Sequence, residues 1–367
     1  KKLPLPAAVD RTMYGKKYDV GIVGWWYNLN YGGTITYYAL NKVIQKMGYS
    51  VLMIRRGSSG PTMPNDNTIP MIFSKKYYNI SRLYTHRDMH WLNYSCKAFV
   101  SGSDQLWNPY LEAYAGPEYF LSFVNEHNVK VSYASSFGNI EGVSEDFRKK
   151  YQPLLDRFSG ISVREDYAVD ICEKDFGIQA KHVCDPVFLC DKLDFIELSK
   201  ESKQEYPEKF LVNFLLDPNA EKVEGYKYVQ EKIGLKECTN LTDLQNVEER
   251  VKNFQGEKVF ANIGIEDFLK AYVNAEFVVT DSFHGTCLAI IFNKPFISIA
   301  NKERGEKRFK SLLKWLGLEH RMVYDIKEIY KRTELLEEID FTPVNRIIEN
   351  SKNEGIEWLK GHLSKMM

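Results

Sequence analysis

Residues 18–54 read YDVGIVGWWYNLNYGGTITYYALNKVIQKMGYSVLMI, and this stretch decides the fold. The apolar runs at residues 18–24 and 51–54 have the length and composition of buried strands. Between them, apolar residues recur at helical spacing over residues 34–47, and Gly48 stands where a glycine commonly ends a helix. A strand, a helix and a second buried strand form a β-α-β unit, which predicts a parallel sheet.

The same alternation continues along the chain. Further strands are predicted at residues 97–101, 130–135, 160–163, 182–184, 210–215, 258–260, 276–280 and 295–299, and helices at 74–93, 144–158, 165–176, 219–233, 265–274, 286–292, 307–316 and 343–365. This order predicts doubly wound α/β domains. A charged stretch at residues 191–208 interrupts it. We therefore predict a first domain at 1–190, a second at 205–342, and a C-terminal helix within 343–367 that could pack back on the first domain.

Composition narrows the class of protein. The 367 residues are 44% hydrophobic and 14% aromatic, enough for two cores. The 49 basic and 49 acidic side chains are mixed along the chain, which argues against a nucleic-acid-binding surface. The six cysteines form no C-x-x-C pair, which predicts free thiols and no zinc site. Because no run approaches the ~18 apolar residues of a membrane span and no signal peptide is visible, we expect a cytoplasmic protein.

The first candidate loop is NLNYGG at residues 28–33, directly after the first strand. The turn from Asn30 to Gly33 would line the cleft, since Gly32 and Gly33 let the backbone approach a ligand and the N-terminus of the following helix attracts anions. The alternative is a tight turn that needs positive φ. No G-x-G-x-x-G or G-x-x-x-x-G-K-[ST] pattern occurs, so neither a dinucleotide site nor a P-loop is indicated.

The second candidate loop is SGSDQLWNP at residues 101–109, again after a predicted strand. Asp104 and Gln105 could hydrogen-bond to sugar hydroxyls, and Trp107 could stack on a sugar ring. The alternative is an Asx-capped turn whose tryptophan fills a gap in the core.

The third candidate is Arg164 in ISVRE, residues 161–165, between a buried strand and a helix. A cation at a helix N-terminus is unfavourable because that end of the helix dipole is positive. An anionic ligand would resolve the conflict. A salt bridge to a carboxylate such as Asp185 would resolve it equally well.

The strongest signal is VVTDSFHGT at residues 278–286. An apolar strand runs into Ser282, His284 and Gly285, and an apolar helix follows. Ligands of doubly wound domains bind beyond the carboxyl ends of the strands, where these residues are predicted to lie. A lone histidine is more often structural, but its small and polar neighbours at a strand–helix junction favour a functional role.

The next helix begins with basic residues, and Arg304, Lys307 and Arg308 could add positive charge to an anion site. The alternative is a solvated helix start. His86 and His90 stand four residues apart but lack an acidic third partner, so we take them as surface residues. No D-x-D pattern occurs, and we predict no metal site.

Six segments in order resemble the polysaccharide pyruvyl transferase family, over a region from about Asp19 to Leu318. They read VGIVGWWYNLNYGGTITYYALNKVIQKMGY, VSGSDQLWNP, VSYASSFG, ISVRED…CDPVFL, VVTDSFHGTCLAIIFNKPFI and RFKSLLKWLGL. Each segment alone is weak, and their order and spacing make the resemblance specific.

The resemblance implies two Rossmann-like domains facing a cleft, as in glycosyltransferases of the B fold. It implies transfer of the enolpyruvyl unit of phosphoenolpyruvate to two hydroxyls of a sugar, giving a cyclic ketal and phosphate, with no cofactor beyond that donor. It also implies donor binding or catalysis by Arg164 and His284. Some members carry arginine two residues before the histidine, where this chain has Ser282. Arg308 could compensate for the missing arginine.

The leading hypothesis is pyruvylation of a surface glycan, such as an exopolysaccharide or cell-envelope glycan, or of its lipid-linked oligosaccharide precursor. A lipid-linked acceptor would be compatible with peripheral contact between the protein and a membrane. One alternative is a glycosyltransferase that uses a nucleotide sugar on the same scaffold, since fold does not fix function. Another is a non-catalytic glycan-binding subunit. Ser282 is the best argument for it, and Arg164 and His284 argue against it.

Overall fold

The computed structural model describes residues 17–57, 66–300 and 305–366. Two sheets contain its strands, and every strand pairing in them is parallel. The strands are β1 (Tyr18–Val23), β2 (Val51–Arg56), β3 (Ile80–Tyr84), β4 (Cys96–Ser101), β5 (Val129–Ser135), β6 (Gly160–Val163), β7 (Lys181–His182), β8 (Phe210–Phe214), β9 (Glu237–Leu241), β10 (Val259–Phe260), β11 (Phe277–Thr280), β12 (Phe296–Ile299) and β13 (Met322–Val323).

The helices that connect these strands cover the sheets. They are α1 (Tyr31–Lys46), α2 (Ile69–Tyr77), α3 (Glu112–Ala115), α4 (Glu145–Leu155), α5 (Asp166–Phe176), α6 (Lys192–Ser199), α7 (Ala220–Lys232), α8 (Val247–Asn253), α9 (Ile265–Asn274), α10 (Phe283–Ile291), α11 (Glu306–Leu316) and α12 (Phe341–Leu363). Parallel strands covered by helices on both faces read as nearly continuous apolar runs, and most of these strands were predicted from such runs.

Both sheets have the doubly wound topology. The strand order is β3-β2-β1-β4-β5-β6-β7 in the first sheet and β10-β9-β8-β11-β12-β13 in the second. In each, the order reverses between two central strands, β1 and β4 or β8 and β11. Loops that leave the carboxyl ends of these strands border the crevice where such folds bind ligands. The predicted fold class, two Rossmann-like domains, is confirmed.

The helix predicted at residues 74–93 is wrong. That stretch contains the end of α2, the edge strand β3 and a short 3₁₀ helix at Met89–Tyr94. Residues 80–84 read ISRLY, and β3 pairs with β2 through positions such as Arg56 and Tyr84. Pairing along the edge of a sheet therefore overrides the local helical pattern.

The first residue of α1 joins the two halves of the molecule. Tyr31 is fully buried, and its ring stacks on Phe268 of α9 with centroids 4.3 Å apart. Its hydroxyl donates a hydrogen bond of 2.8 Å to the carbonyl of Ile263. The loop at residues 28–33 is therefore packed against the second sheet and its helices.

The C-terminal helix α12 contacts the first sheet. Leu359 and Leu363 are fully buried, and Trp358 lies 6.3 Å from the ring of Tyr133 in β5. At Gly355, a Cβ atom would lie 2.5 Å from the hydroxyl of Tyr133, so the helix approaches β5 closely. The two sheets lie on either side of residues 191–208, where we placed the domain boundary; the exact domain limits stay a prediction.

Candidate active site

A cleft of about 490 Å³ lies where the loops after β1 and β4 face the loop after β11 and the start of α11. Six of the residues predicted to form the site line it: Asn30, Asp104, Gln105, Ser282, His284 and Arg308. The first three come from the switch point of the first sheet, and Ser282 and His284 from that of the second. The topology thus brings together residues that are more than 250 positions apart in the sequence.

The first turn of α10 positions His284. Ser282 is the N-cap, and its Oγ accepts a hydrogen bond of 3.2 Å from the amide of Gly285. The imidazole is buried against the first turn of α1, where a Cβ on Gly32 would lie only 2.4 Å from Nδ1. Any side chain at Gly32 would collide with the histidine, so the close packing of His284 on α1 requires glycine at this position. The tight-turn interpretation is wrong, because neither Gly32 nor Gly33 has a positive φ.

Asn30 and Gly33 form the cap of α1. The side-chain oxygen of Asn30 accepts a hydrogen bond of 2.9 Å from the amide of Gly33. A Cβ on Gly33 would have no contact closer than 3.4 Å, to the carbonyl of Trp25, so the steric argument that applies to Gly32 does not apply here.

Asp185 connects the histidine to the first domain. This carboxylate is almost completely buried and lies 2.9 Å from Nη1 of Arg164 and 3.5 Å from Nε2 of His284. It also accepts hydrogen bonds from Ser103 Oγ, at 3.3 Å, and from the amide of Val187, at 3.1 Å. Burial opposes its ionisation, but His284, the charge of Arg164 and the Val187 amide hold the pKa of Asp185 well below its usual range.

Arg164 is surrounded by carboxylates. Nε donates a hydrogen bond of 2.8 Å to Glu165, Nη1 contacts Asp185, and Nη2 lies 3.7 Å from Asp104. Burial alone would lower the pKa of Arg164, but these three carboxylates raise it above its ordinary value. The salt bridge to Asp185, one of the two alternatives for this arginine, is therefore present. Nη2 makes no hydrogen bond to the residues that the structure describes.

Arg308 is the buried cation that lines the cleft itself. It lies in the first turn of α11, and its guanidinium carbon is 5.5 Å from the centre of the Phe283 ring. Arg164 packs on the same ring at 4.4 Å. Burial, followed by the nearby charge of Arg164, lowers the pKa of Arg308. An anion in the cleft would relieve both effects. Arg304 lies outside the described residues.

Asp104 and Gln105 border the cleft from the first domain. Asp104 has a φ of +75°, which non-glycine residues adopt rarely and mostly where surrounding structure enforces it. Its carbonyl accepts hydrogen bonds from the amides of Leu106, at 2.7 Å, and Ser136, at 3.0 Å. Gln105 accepts a hydrogen bond of 2.8 Å from the side chain of Asn108. The loop is thus held in one conformation with its carboxylate 15% exposed.

Trp107 does not contact the cleft, so its prediction as a stacking platform is wrong. The side chain is fully buried, and its ring stacks on Phe120 at 5.3 Å. Its indole N–H donates a hydrogen bond of 3.1 Å to the carbonyl of Tyr119. The tryptophan therefore fills the core beneath the loop, as the alternative interpretation had it.

Gly285 also faces the protein interior. A Cβ there would lie 2.5 Å from Oγ1 of Thr280 and 2.8 Å from the hydroxyl of Tyr272. This glycine permits close packing of α10 on β11, and its predicted contact with substrate is not supported by its position.

Known families and solved structures identify the family and the fold of the chain. The sequence pattern described as polysaccharide pyruvyl transferase matches residues 30–303, well over half of the chain. The chain belongs to this family. The matched region includes Asn30, Arg164 and His284 and ends just before α11. No curated protein is significantly similar to the chain in sequence.

Solved structures share the architecture. UDP-GlcNAc 2-epimerase from Methanocaldococcus jannaschii, in complex with UDP-GlcNAc and UDP, superposes with a TM-score of 0.55 at 14% identity, covering 90% of this chain and 98% of that one. UDP-N-acetylglucosamine 2-epimerase from Rickettsia bellii gives a TM-score of 0.53 at 14% identity, covering 94% and 96%. At such identity the likeness shows the fold alone, which is glycosyltransferase-B-like.

The described residues of this pyruvyl transferase family member also bear on metal binding and on membrane insertion. No group of three or more His, Cys, Asp and Glu side chains in that part of the chain is arranged to hold a metal ion. None of its helices is both long and apolar enough to cross a membrane.

The sequence analysis missed the importance of Asp185 and Glu165. It named Asp185 only as a salt-bridge partner, although CDPVFL belongs to a family-like segment. A usable signal was present: Asp185 stands just after a strand and before Pro186, in a run of otherwise apolar residues. A carboxylate in such a run is rarely buried without a charged partner.

Proposed function

We propose that this chain transfers pyruvate from phosphoenolpyruvate to two hydroxyls of a sugar in a surface glycan, or in its precursor, as a cyclic ketal. One observation supports this most: His284, paired with Asp185, shares a cleft with the buried cation Arg308 in a member of the pyruvyl transferase family. An anionic donor requires the cation, and a hydroxyl acceptor requires a group that moves protons.

Arg308 is the proposed primary contact for the phosphate or carboxylate of the donor. Burial and the charge of Arg164 lower the pKa of Arg308, so an anion at this place gains more than it would at an exposed arginine. Arg164 is the second candidate, through Nη2, whose hydrogen-bonding capacity is unused among the described residues. Ser282 caps α10 with its hydroxyl, so it is proposed to shape the site rather than to replace an arginine.

The proposed reaction balances without a redox change and uses no metal. The first hydroxyl oxygen bonds to C2 of phosphoenolpyruvate, and its proton reaches the methylene carbon, which becomes a methyl group. The second hydroxyl oxygen then bonds to C2 while the bond from C2 to the phosphate oxygen breaks. The second proton leaves with the phosphate. The products are a cyclic ketal and inorganic phosphate.

His284 is proposed to carry the first proton, with Asp185 as its positioning residue. Asp185 faces Nε2 at 3.5 Å, a distance that can shorten when a substrate closes the site. Nδ1 lies against Gly32, where a Cβ atom would be only 2.4 Å away. In this arrangement Asp185 stabilises the charged imidazole that forms when His284 takes up the proton.

A ligand panel tests the proposal. Melting temperature is measured with phosphoenolpyruvate, inorganic phosphate and nucleotide sugars at equal concentrations. A ligand at 100 times its dissociation constant stabilises the folded state by about 2.7 kcal/mol, which produces a clear shift. We expect phosphoenolpyruvate to stabilise the protein more than phosphate does. Stabilisation by a nucleotide sugar alone would instead support the glycosyltransferase alternative, and glycan binding without donor binding would support the non-catalytic subunit.

The proposal extends to compartment and acceptor. It sets the reaction in the cytoplasm, on a free sugar or a lipid-linked oligosaccharide. A lipid-linked acceptor would require contact with a membrane surface but no spanning segment.

A further inference from the structure

One large aromatic side chain projects into solvent at the mouth of the cleft. Tyr110 is 82% exposed and belongs to the cleft lining. Among the described residues, the other large hydrophobic side chains that are exposed do not line this cleft. Leaving a tyrosine ring in water forgoes the free energy of burying its apolar surface, so a ring kept at a ligand cleft is suited to cover a ligand.

The backbone beneath Tyr110 is held firmly. Asn108 caps the short 3₁₀ helix Pro109–Leu111, and its side-chain oxygen accepts a hydrogen bond of 3.0 Å from the amide of Tyr110. The amide group of Asn108 in turn donates a hydrogen bond of 2.8 Å to Gln105. Gly138, with a φ of +77°, lies so close that a Cβ there would be 2.3 Å from the Asn108 nitrogen. The ring is thus exposed on a fixed support, which lowers the entropy cost of stacking on it.

The side of the cleft that carries Tyr110 is polar. Gln105, Asn108 and Asn139 line the cleft with amide groups and Asp104 with a carboxylate, whereas Arg308 and His284 come from the second domain. A pyranose has apolar C–H faces and hydroxyls around its edge. A ring face with its negative charge density attracts such C–H groups, and amides can donate to and accept from hydroxyls.

We propose that Tyr110 is the stacking platform of the acceptor subsite, where a neutral pyranose lies against the ring and the neighbouring amides contact its hydroxyls. This deepens the proposed function and rests on it for the identity of the reaction. The subsite takes the role that Trp107 was predicted to have, three residues along the same loop. The acceptor then enters from the first domain and the donor anion from the second.

Three variants test this subsite. Tyr110→Ala removes the ring, and Tyr110→Phe keeps the ring without its hydroxyl. Tyr114→Ala is the matched control, because Tyr114 is 74% exposed on the adjacent α3 and does not line the cleft. Dissociation constants of methyl galactoside, methyl glucoside and methyl N-acetylmannosaminide are measured by ligand-observed NMR, without any donor present.

We expect at least one glycoside to bind the parent protein, with affinity about tenfold weaker in Tyr110→Ala, equivalent to about 1.4 kcal/mol. Tyr110→Phe and Tyr114→Ala should stay within about threefold of the parent. Equal affinity for the parent and Tyr110→Ala would overturn the proposal, as would the absence of glycoside binding to the parent. A Tyr110→Ala variant that loses binding of a protein partner but not of glycosides would reassign the ring to a protein interface.

Phosphoenolpyruvate binding separates this proposal from the proposed function. Calorimetry should give the same donor dissociation constant for the parent and for Tyr110→Ala. If glycosides bind through Tyr110 but phosphoenolpyruvate does not bind at all, the acceptor subsite stands and the pyruvyl transfer reaction fails. If the donor binds and the glycosides do not, the subsite fails and the reaction stands.

Discussion

Arg164 and Arg308 pack on the same phenyl ring, that of Phe283, yet their pKa values are shifted in opposite directions. Arg164 lies among Glu165, Asp185 and Asp104, which raise its pKa above the ordinary value. Burial and the charge of Arg164 lower the pKa of Arg308. The carboxylates around Arg164 stabilise its charge, whereas an anion in the cleft would oppose the lowering of the Arg308 pKa.

This difference predicts that one arginine matters for folding stability and the other for ligand binding. A buried ion pair that loses one partner leaves an uncompensated charge, so the carboxylate cluster should matter mostly for folding. A buried cation at a cleft should matter mostly for ligand binding. Each variant below weakens one side of the contrast.

The largest effect is expected from Arg164→Ala. This variant strands Asp185 and Glu165 in the interior, which should lower the free energy of unfolding by about 3–5 kcal/mol. Urea denaturation measures the loss, with Arg308→Ala as the matched variant, since removing that arginine relieves repulsion with Arg164. Equal losses of unfolding free energy in the two variants would contradict the proposed difference between the two arginines.

His284→Asn tests the histidine that contacts the carboxylate cluster through Asp185 and also lines the cleft. We expect phosphate release to fall by at least about 100-fold, equivalent to about 2.7 kcal/mol, because asparagine cannot exchange a proton near neutral pH. The melting temperature should change little. If the affinity for phosphoenolpyruvate falls by the same factor as turnover, His284 is an anion contact instead. Near-full activity of the variant would exclude proton transfer by this residue.

Arg308→Ala tests donor binding in the cleft. A charge-assisted contact is worth about 1.5–3 kcal/mol, so the dissociation constant of phosphoenolpyruvate should rise about 10- to 100-fold in calorimetry. Lys310→Ala is the control, since Lys310 is an exposed cation on the same helix that pairs with Glu306. An unchanged donor affinity in Arg308→Ala would shift the donor contact to Arg164.

Ser282→Ala should have the smallest effect. It removes the N-cap hydrogen bond of α10, which costs about 1 kcal/mol of unfolding free energy. Since the hydroxyl is assigned to the cap, donor affinity should stay within about threefold of the parent. A larger drop in affinity than in stability would show that Ser282 itself contacts the donor.

The sequence predicted the central strands well because each is a continuous apolar run, the pattern of a strand buried on both faces. It failed at residues 74–93, where the edge strand β3 mixes polar and apolar residues. It also gave no strand at Glu237–Leu241, whose residues ECTNL lack such a run. Strands at or next to the edge of a sheet, such as β3 and β9, depend on pairing partners that local patterns do not reveal.

At the site, sequence reasoning found the strand-end residues but not their pairing. His284 and Asp185 lie on different domains, and only the assembled fold brings them within 3.5 Å. Likewise, the loop at residues 101–111 offers two aromatic side chains, Trp107 and Tyr110. The sequence alone favours the larger tryptophan ring for stacking on a sugar. In the structure Trp107 is buried against Phe120, and Tyr110 lines the cleft instead.

The most direct test of pyruvyl transfer is the mass of the acceptor product. Purified protein is incubated with phosphoenolpyruvate and a panel of galactose-, glucose- and mannosamine-containing acceptors, and products are analysed by mass spectrometry alongside released phosphate. The proposed function predicts an acceptor heavier by one pyruvate less one water, with one phosphate released for each product formed. Phosphate release with every acceptor unchanged in mass, or a product that forms only with a nucleotide sugar, would contradict it.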